Sequence, residues 1–228
     1  MNGLSETLSE EMNVETVFTI PIFGGIPIDE SCVVTWIIMA VITLICIILT
    51  RNLKVTNISK RQAAVELIVT KLENMLKNAV GEGGEDYVPY LLTVLLYLGF
   101  ANIAGVFGFK PPTKALNVTL ALAIMSIVLV QIAGIRAKGV GGWLKAFTKP
   151  VGIVLPFNIL DLITRPLSLC MRLFGNVLGA FVIMEILEYV VPIIIPAFCS
   201  LYFDFFDGIL QAYVFVFLTG IYIKEAIE

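Results

Sequence analysis

Ser31–Thr50 is a run of twenty residues without a charged side chain. At 1.5 Å per residue, a helix of that length reaches about 30 Å, the thickness of a bilayer's hydrocarbon core. Further apolar stretches follow at 87–107, 117–133, 151–191 and 201–227. In lipid, backbone polar groups must be paired inside the segment, so such stretches are read as helices. Composition agrees: the chain is 58% hydrophobic and 14% charged, with a mean hydropathy of +0.95, too apolar for a soluble domain. The expected fold is an all-α polytopic membrane protein, one domain over 1–228. It has about five membrane helices, the last two being 151–191 and 201–227, which a hairpin would bring side by side.

The segments between the runs set the expected topology. Residues 1–30 carry Glu6, Glu10, Glu11, Glu15, Asp29 and Glu30 but no Lys or Arg. That reads as an external acidic tail, not a signal peptide, which needs a basic start. Pro21–Pro27 reads as a turn or interfacial loop. Over 60–80, Ala64, Leu67, Ile68, Leu72, Met75, Leu76 and Ala79 recur at helical spacing among charged residues. This predicts an amphipathic helix on the cytoplasmic surface or against a partner, ended by the glycines after Val80. Lys110-Pro111-Pro112 predicts a tight external turn, 134–150 a cytoplasmic loop, and Pro192 with Pro196 the end of the long helix. Segments 51–86 and 134–149 hold six and four basic residues and the C-terminus holds Lys224, whereas the other side has only Lys110 and Lys114. The positive-inside rule then places the N-terminus outside and the C-terminus in the cytoplasm.

The stretch 151–191 is too long for one upright crossing, so a strongly inclined or a broken helix is expected. Within it, Arg165–Gly179 reads RPLSLCMRLFGNVLG. An arginine at the bilayer centre costs about 3 kcal/mol or more, which makes it a candidate functional residue unless it snorkels. Ser168, Arg172, Asn176 and Gly179 recur at spacings of four, four and three and share one helix face. Arg165, nearer the basic loop, suits snorkelling to headgroups. Glu185 and Glu188 lie roughly 220° and 160° around the wheel from Arg172. Asp204, Asp207 and Gln211 form a stripe on the last helix, so a hairpin would line its outer end with four carboxylates. These exchange protons or pass a cation, or they mark solvated helix ends; Asp204 and Asp207 suit both readings, and Glu185 the first. Asn117 and Thr119 line a polar entry or cap their helix. Asn102 suits a hydrogen bond to a neighbouring helix.

RPLSLCMRLFGN resembles the signature of subunit a of the F-type ATP synthase, an intramembrane arginine followed by Leu-x-Gly-Asn. PPTKALNVTLALA at 111–123 and LQAYVFVFLTGIYI at 210–223 resemble the same family, in its order and at about its spacing. The resemblance implies an ion-translocating stator subunit with two aqueous half-channels. In it, Arg172 would face the carboxylates of a rotating ring of c subunits and keep them ionised. A cation within about 4–6 Å lowers a carboxylate's pKa by about 1–3, and arginine stays charged in proteins. Ser168, Asn176 and Gln211 match polar positions around that arginine. The implied partners are the c-ring, peripheral-stalk subunit b, the rest of the synthase, membrane lipids and transported H⁺ or Na⁺, in a bacterial plasma membrane. Two departures stand out. Phe181 lies nine residues after Arg172, where many members have glutamate, and Glu185 one turn on is the candidate substitute. Asp204 stands where some relatives carry a histidine.

Other chemistry finds little support. The chain has no histidine, and Cys32, Cys46, Cys170 and Cys199 are scattered without metal-ligand spacing. Nucleotide-binding, nucleophile-elbow and metal motifs are missing from the sequence. No cofactor, metal or nucleic-acid partner is expected, and the chain is not expected to be an enzyme by itself. A stand-alone transporter would call for an inverted repeat. An intramembrane enzyme acting on a lipid phosphate would have only Ser168 and Asp161 beside its arginines.

Overall fold

The computed structural model describes residues 16–20, 26–55, 58–107, 110–146, 155–190 and 194–228. The first fifteen residues of the acidic tail and most of the Pro21–Pro27 segment lie outside them. Where the sequence suggested only tail, β1 (Thr16–Ile20) pairs antiparallel with β2 (Ile26–Asp29). Thr16–Ile20 consists of β-branched and aromatic residues, and Ile26 and Ile28 are β-branched, which suits a short hairpin.

Among the described residues, five helical segments are long and apolar enough to cross a membrane. The first, α1 (Glu30–Thr50), touches the bundle through Val34 and Ile38, which pack on Ala101 and Ala104. Ile42 packs partly against the same cluster, whereas Trp36, Ile37, Met39, Val41, Leu44, Ile47 and Ile48 are exposed, as befits a helix facing lipid.

Next comes α2 (Lys60–Val80). The Ser59 hydroxyl caps its start, accepting from the Gln62 N–H. Gln62 itself bonds both the N–H and the carbonyl of Lys54, which ties the connecting loop down. Gly81 ends the helix at φ +75°, a conformation that favours glycine. Leu76, Ala79 and Val80 are buried, whereas Leu67 and Ile68 are exposed. The C-terminal half of the helix is therefore packed into its own chain.

The core lies between α3 (Val88–Ile103), α4 (Leu116–Ala146) and α7 (Gly208–Ile227). Residues 134–146, expected as loop, continue α4. The chain stays helical through Lys138, breaks at Gly139 with φ +70°, and resumes to Ala146. Only glycine takes that φ without strain. Past the break, the Trp143 indole N–H donates to Gln131 at 2.9 Å, folding the end back on its own helix.

The long element α5 (Leu155–Val190) is continuous, although Pro166 cannot donate to the carbonyl of Leu162. Its 36 residues extend about 54 Å. A bilayer core of about 30 Å holds that length only if the helix is steeply inclined or its ends project. The helix ends at Val190; of the two prolines expected to end it, Pro192 lies outside the described residues, and Pro196 lies in the first turn of α6 (Ile194–Ser200), where an N–H has no intrahelical partner to lose. A π-helical segment, Leu201–Asp207, joins α6 to α7.

Candidate functional site

Two helices build the site, and three contacts align them. Arg165 Nη2 meets Glu225 Oε1 at 2.8 Å, the Gln211 amide donates to the Arg172 carbonyl at 2.8 Å, and the Asn176 amide reaches Asp207 Oδ1 at 3.4 Å. The index on α5 rises as that on the partner helix falls, so the two run antiparallel.

The buried face of α5 is Leu169, Cys170 and Leu173. The opposite face leaves Leu160, Ile163, Leu167 and Met171 exposed. Ser168, Arg172 and Asn176 run along the seam between the two faces and are all exposed. Among the described residues, no side chain hydrogen-bonds or ion-pairs with the Arg172 guanidinium. A Cβ placed at Gly175 or Gly179 would have nothing within 4 Å. This chain's own packing therefore requires neither glycine. Gln211, only 4% exposed, holds the Arg172 backbone from behind and leaves the side chain open.

The carboxylates expected near this end of the two helices are less tightly gathered. Asp207 stands at the end of the π-helical segment beside Asn176. Glu185 is partly exposed four residues after Phe181, one turn further along α5. The side chains of Glu188 and Asp204 lie outside the described part. At Phe181, the Lys114 ammonium sits 3.3 Å from the ring centroid, a cation–π contact. Asn117 is not brought to this stripe: it lines a cavity between α1, α3 and α4. Thr119 instead donates to the Leu116 carbonyl and touches Cys170 Sγ at 3.5 Å.

Arg165, read in the sequence as suited to snorkelling, has partners within its own chain. Its side chain is 25% exposed and pairs with Glu225, with Asp161 at 3.8 Å and the Tyr222 ring centroid at 5.0 Å. Arg165, Asp161 and Glu225, with Lys138, Trp143 and Asn158, border a cavity of about 310 Å³. The i−4 carboxylate was visible in the sequence; Glu225, sixty residues on, was not. Asn102, read as a helix-to-helix hydrogen bonder, is buried: it donates to the Gly208 carbonyl at 2.9 Å and accepts from Thr113 at 2.8 Å.

Comparison with known proteins converges on one family. The family model described as ATP synthase A chain matches residues 32–224. The chain is 35% identical to "ATP synthase subunit a 1" of Prosthecochloris aestuarii, covering 90% of this chain and 92% of that protein. It is 34% identical to the subunit a 1 of Chlorobaculum parvum, over 89% and 90%, and 33% identical to that of Crocosphaera subtropica, over 89% of each. With Ser168, Arg172 and Asn176 in one exposed stripe on α5, Gln211 of α7 behind it and a family match over most of its length, the chain belongs to the ATP synthase A chain family, the subunit a of the membrane sector.

Proposed function

We propose that this chain is the ion-translocating stator of a rotary F-type ATP synthase and that Arg172 faces the carboxylates of a turning c-ring. One observation carries the reading: Arg172 is exposed on an apolar membrane helix and meets no carboxylate among the described residues of its own chain. An unpaired guanidinium at that depth costs about 3 kcal/mol or more. The partner that relieves this cost comes from outside the chain. The exposed apolar row beside it and the unfilled space at Gly175 and Gly179 suit a second helix passing close by.

In this reading the arginine keeps each arriving carboxylate ionised and bars ions from crossing directly between two half-channels. Asn176, Asp207 and Glu185 serve the outer half-channel, with Glu188 and Asp204 assigned to it from the sequence alone. Ser168 and Gln211 set the polarity around the arginine. The transported ion is H⁺ or Na⁺. A membrane potential of 100 mV supplies about 2.3 kcal/mol per charge to bias rotation. The chain itself makes and breaks no covalent bond.

Gly81 beside Lys224, Arg165 beside Glu225 and Gly134 beside Ala226 bring the basic segments to one end of the bundle. Lys114 and Phe181 meet at the other end. The positive-inside rule then puts the C-terminus in the cytoplasm and the N-terminus outside a bacterial plasma membrane. Subunit b and the remaining synthase subunits complete the assembly.

The contact is tested by a photoreactive side chain at Met171, on the open face of α5, and a control at Ile132 on α4. The expected product is a covalent adduct to the c subunit from position 171 alone. Equal adducts from both positions, or none from 171 in an assembled complex, would overturn the reading.

A further inference from the structure

Arg172 shares its face of α5 with a second arginine. Arg165 precedes it by seven residues, two turns that bring the side-chain direction back to within about 20°. The axial separation is about 10.5 Å. With the 36 residues of α5 inclined to fit a core of about 30 Å, that separation becomes about 6 Å of depth. An extended arginine side chain spans as much. Left to itself, Arg165 would therefore offer a second guanidinium to a group that Arg172 meets.

The structure gives the two arginines different surroundings. Arg172 is exposed. Arg165 is drawn onto α7: its Nη2 lies 2.8 Å from Glu225 Oε1, and its guanidinium lies 5.0 Å from the Tyr222 ring centroid. Asp161, one turn earlier on α5, stands at 3.8 Å. The Arg165 side chain is left only 25% exposed.

The charges around it also cancel. The cavity that Arg165 borders is lined by two cations, Arg165 and Lys138, and by two carboxylates, Asp161 and Glu225. Removal of either carboxylate leaves that end of α5 with an excess positive charge. In surroundings of low dielectric, such a charge attracts a carboxylate that passes within a few ångströms.

We infer that Glu225, with Asp161 beside it, masks Arg165, so that a ring carboxylate meets one accessible guanidinium on α5 and not two. This rests on the proposed contact between Arg172 and the ring. Unmasked, Arg165 holds each arriving carboxylate at a second point, and the ring has one more ion pair to break at every step. Glu225 touches no ring group; it acts through Arg165. A contact that merely braces α5 against α7 would use the same atoms, but it would respond differently to a second substitution.

The test is ATP-driven ion transport by the reconstituted complex, with ring content measured in every variant. Glu225→Gln should assemble with its ring and transport several-fold more slowly than the unaltered complex. Adding Arg165→Gln removes the unmasked cation and should restore most of the rate. Asp161→Asn should slow transport less, because Asp161 is the more distant partner, and Arg165→Gln should relieve that loss too. Should Glu225→Gln fail to assemble, Asp161→Asn with and without Arg165→Gln decides by the same comparison. A Glu225→Gln complex as fast as the unaltered one would overturn the inference. So would a double variant no faster than Glu225→Gln, the result expected of a brace. Arg172→Ala in the same preparation separates the mask from the ring contact on which it rests. Loss of coupled transport in Arg172→Ala with full transport in Glu225→Gln would overturn the mask alone, whereas full coupled transport in Arg172→Ala would overturn both.

Discussion

Asn102→Leu is the substitution whose effect follows most directly from geometry. Asn102 bridges three elements: it lies on α3, donates to the Gly208 carbonyl at the head of α7, and accepts from Thr113 in the turn before α4. Thr113 is fully buried, so removal of its acceptor leaves a hydroxyl with neither water nor protein to take its proton. Interhelical hydrogen bonds in membranes contribute about 0.6 kcal/mol on average and up to about 1.7. Two such bonds put the loss for Asn102→Leu at about 1–3 kcal/mol. Thr113→Val breaks one of them and should lose about 1 kcal/mol. In the double variant the stranded hydroxyl is gone, so its loss should fall short of the sum of the singles by about 0.6–1.7 kcal/mol. Denaturing-detergent titration of the reconstituted subunit measures all four corners of the cycle. Wild-type stability in Asn102→Leu, or strict additivity across the cycle, would refute the claim that this network ties the three elements together.

Two further outcomes follow from the α5 surface. Arg165→Gln breaks the pairing with Glu225, which is 57% exposed. Partial solvation limits its worth to about 1 kcal/mol or less, and the loss should shrink at high salt in the same titration. Gly175→Ala meets nothing in this chain and should stabilise the subunit alone by up to about 1 kcal/mol through helix propensity. The assembled complex should nevertheless show slower ATP-driven transport, because the added methyl intrudes on the passing ring. Unchanged transport would mean that no partner approaches there.

Much of the architecture was legible because length and apolarity alone dictate membrane helices. Other features hung on backbone conformation or on pairings between distant segments. Arg136, Lys138 and Lys145 marked 134–149 as leaving the membrane, but charge does not unwind a helix; the break comes at Gly139, where φ turns positive. Pro196 read as a terminator, yet a proline in a first turn removes no hydrogen bond. The wheel put Ser168, Arg172 and Asn176 on one face, and the structure leaves all three exposed. Periodicity within one helix cannot say which neighbour a face meets. Hence neither the Glu225 partner of Arg165 nor the cavity that Asn117 borders beside α1 could be read from the sequence. The hairpin of β1 and β2 escaped notice because acidic composition was given more weight than its two short alternating runs.

The central claim is that Arg172 is a fixed charge that the proposed ring must pass. ATP-driven ion transport by the reconstituted complex, unaltered and with Arg172→Ala, tests it directly when H⁺ and Na⁺ gradients are followed separately. The account predicts that the variant assembles with its ring but loses coupled transport of whichever ion the unaltered complex moves. Full coupled transport by the variant would contradict it.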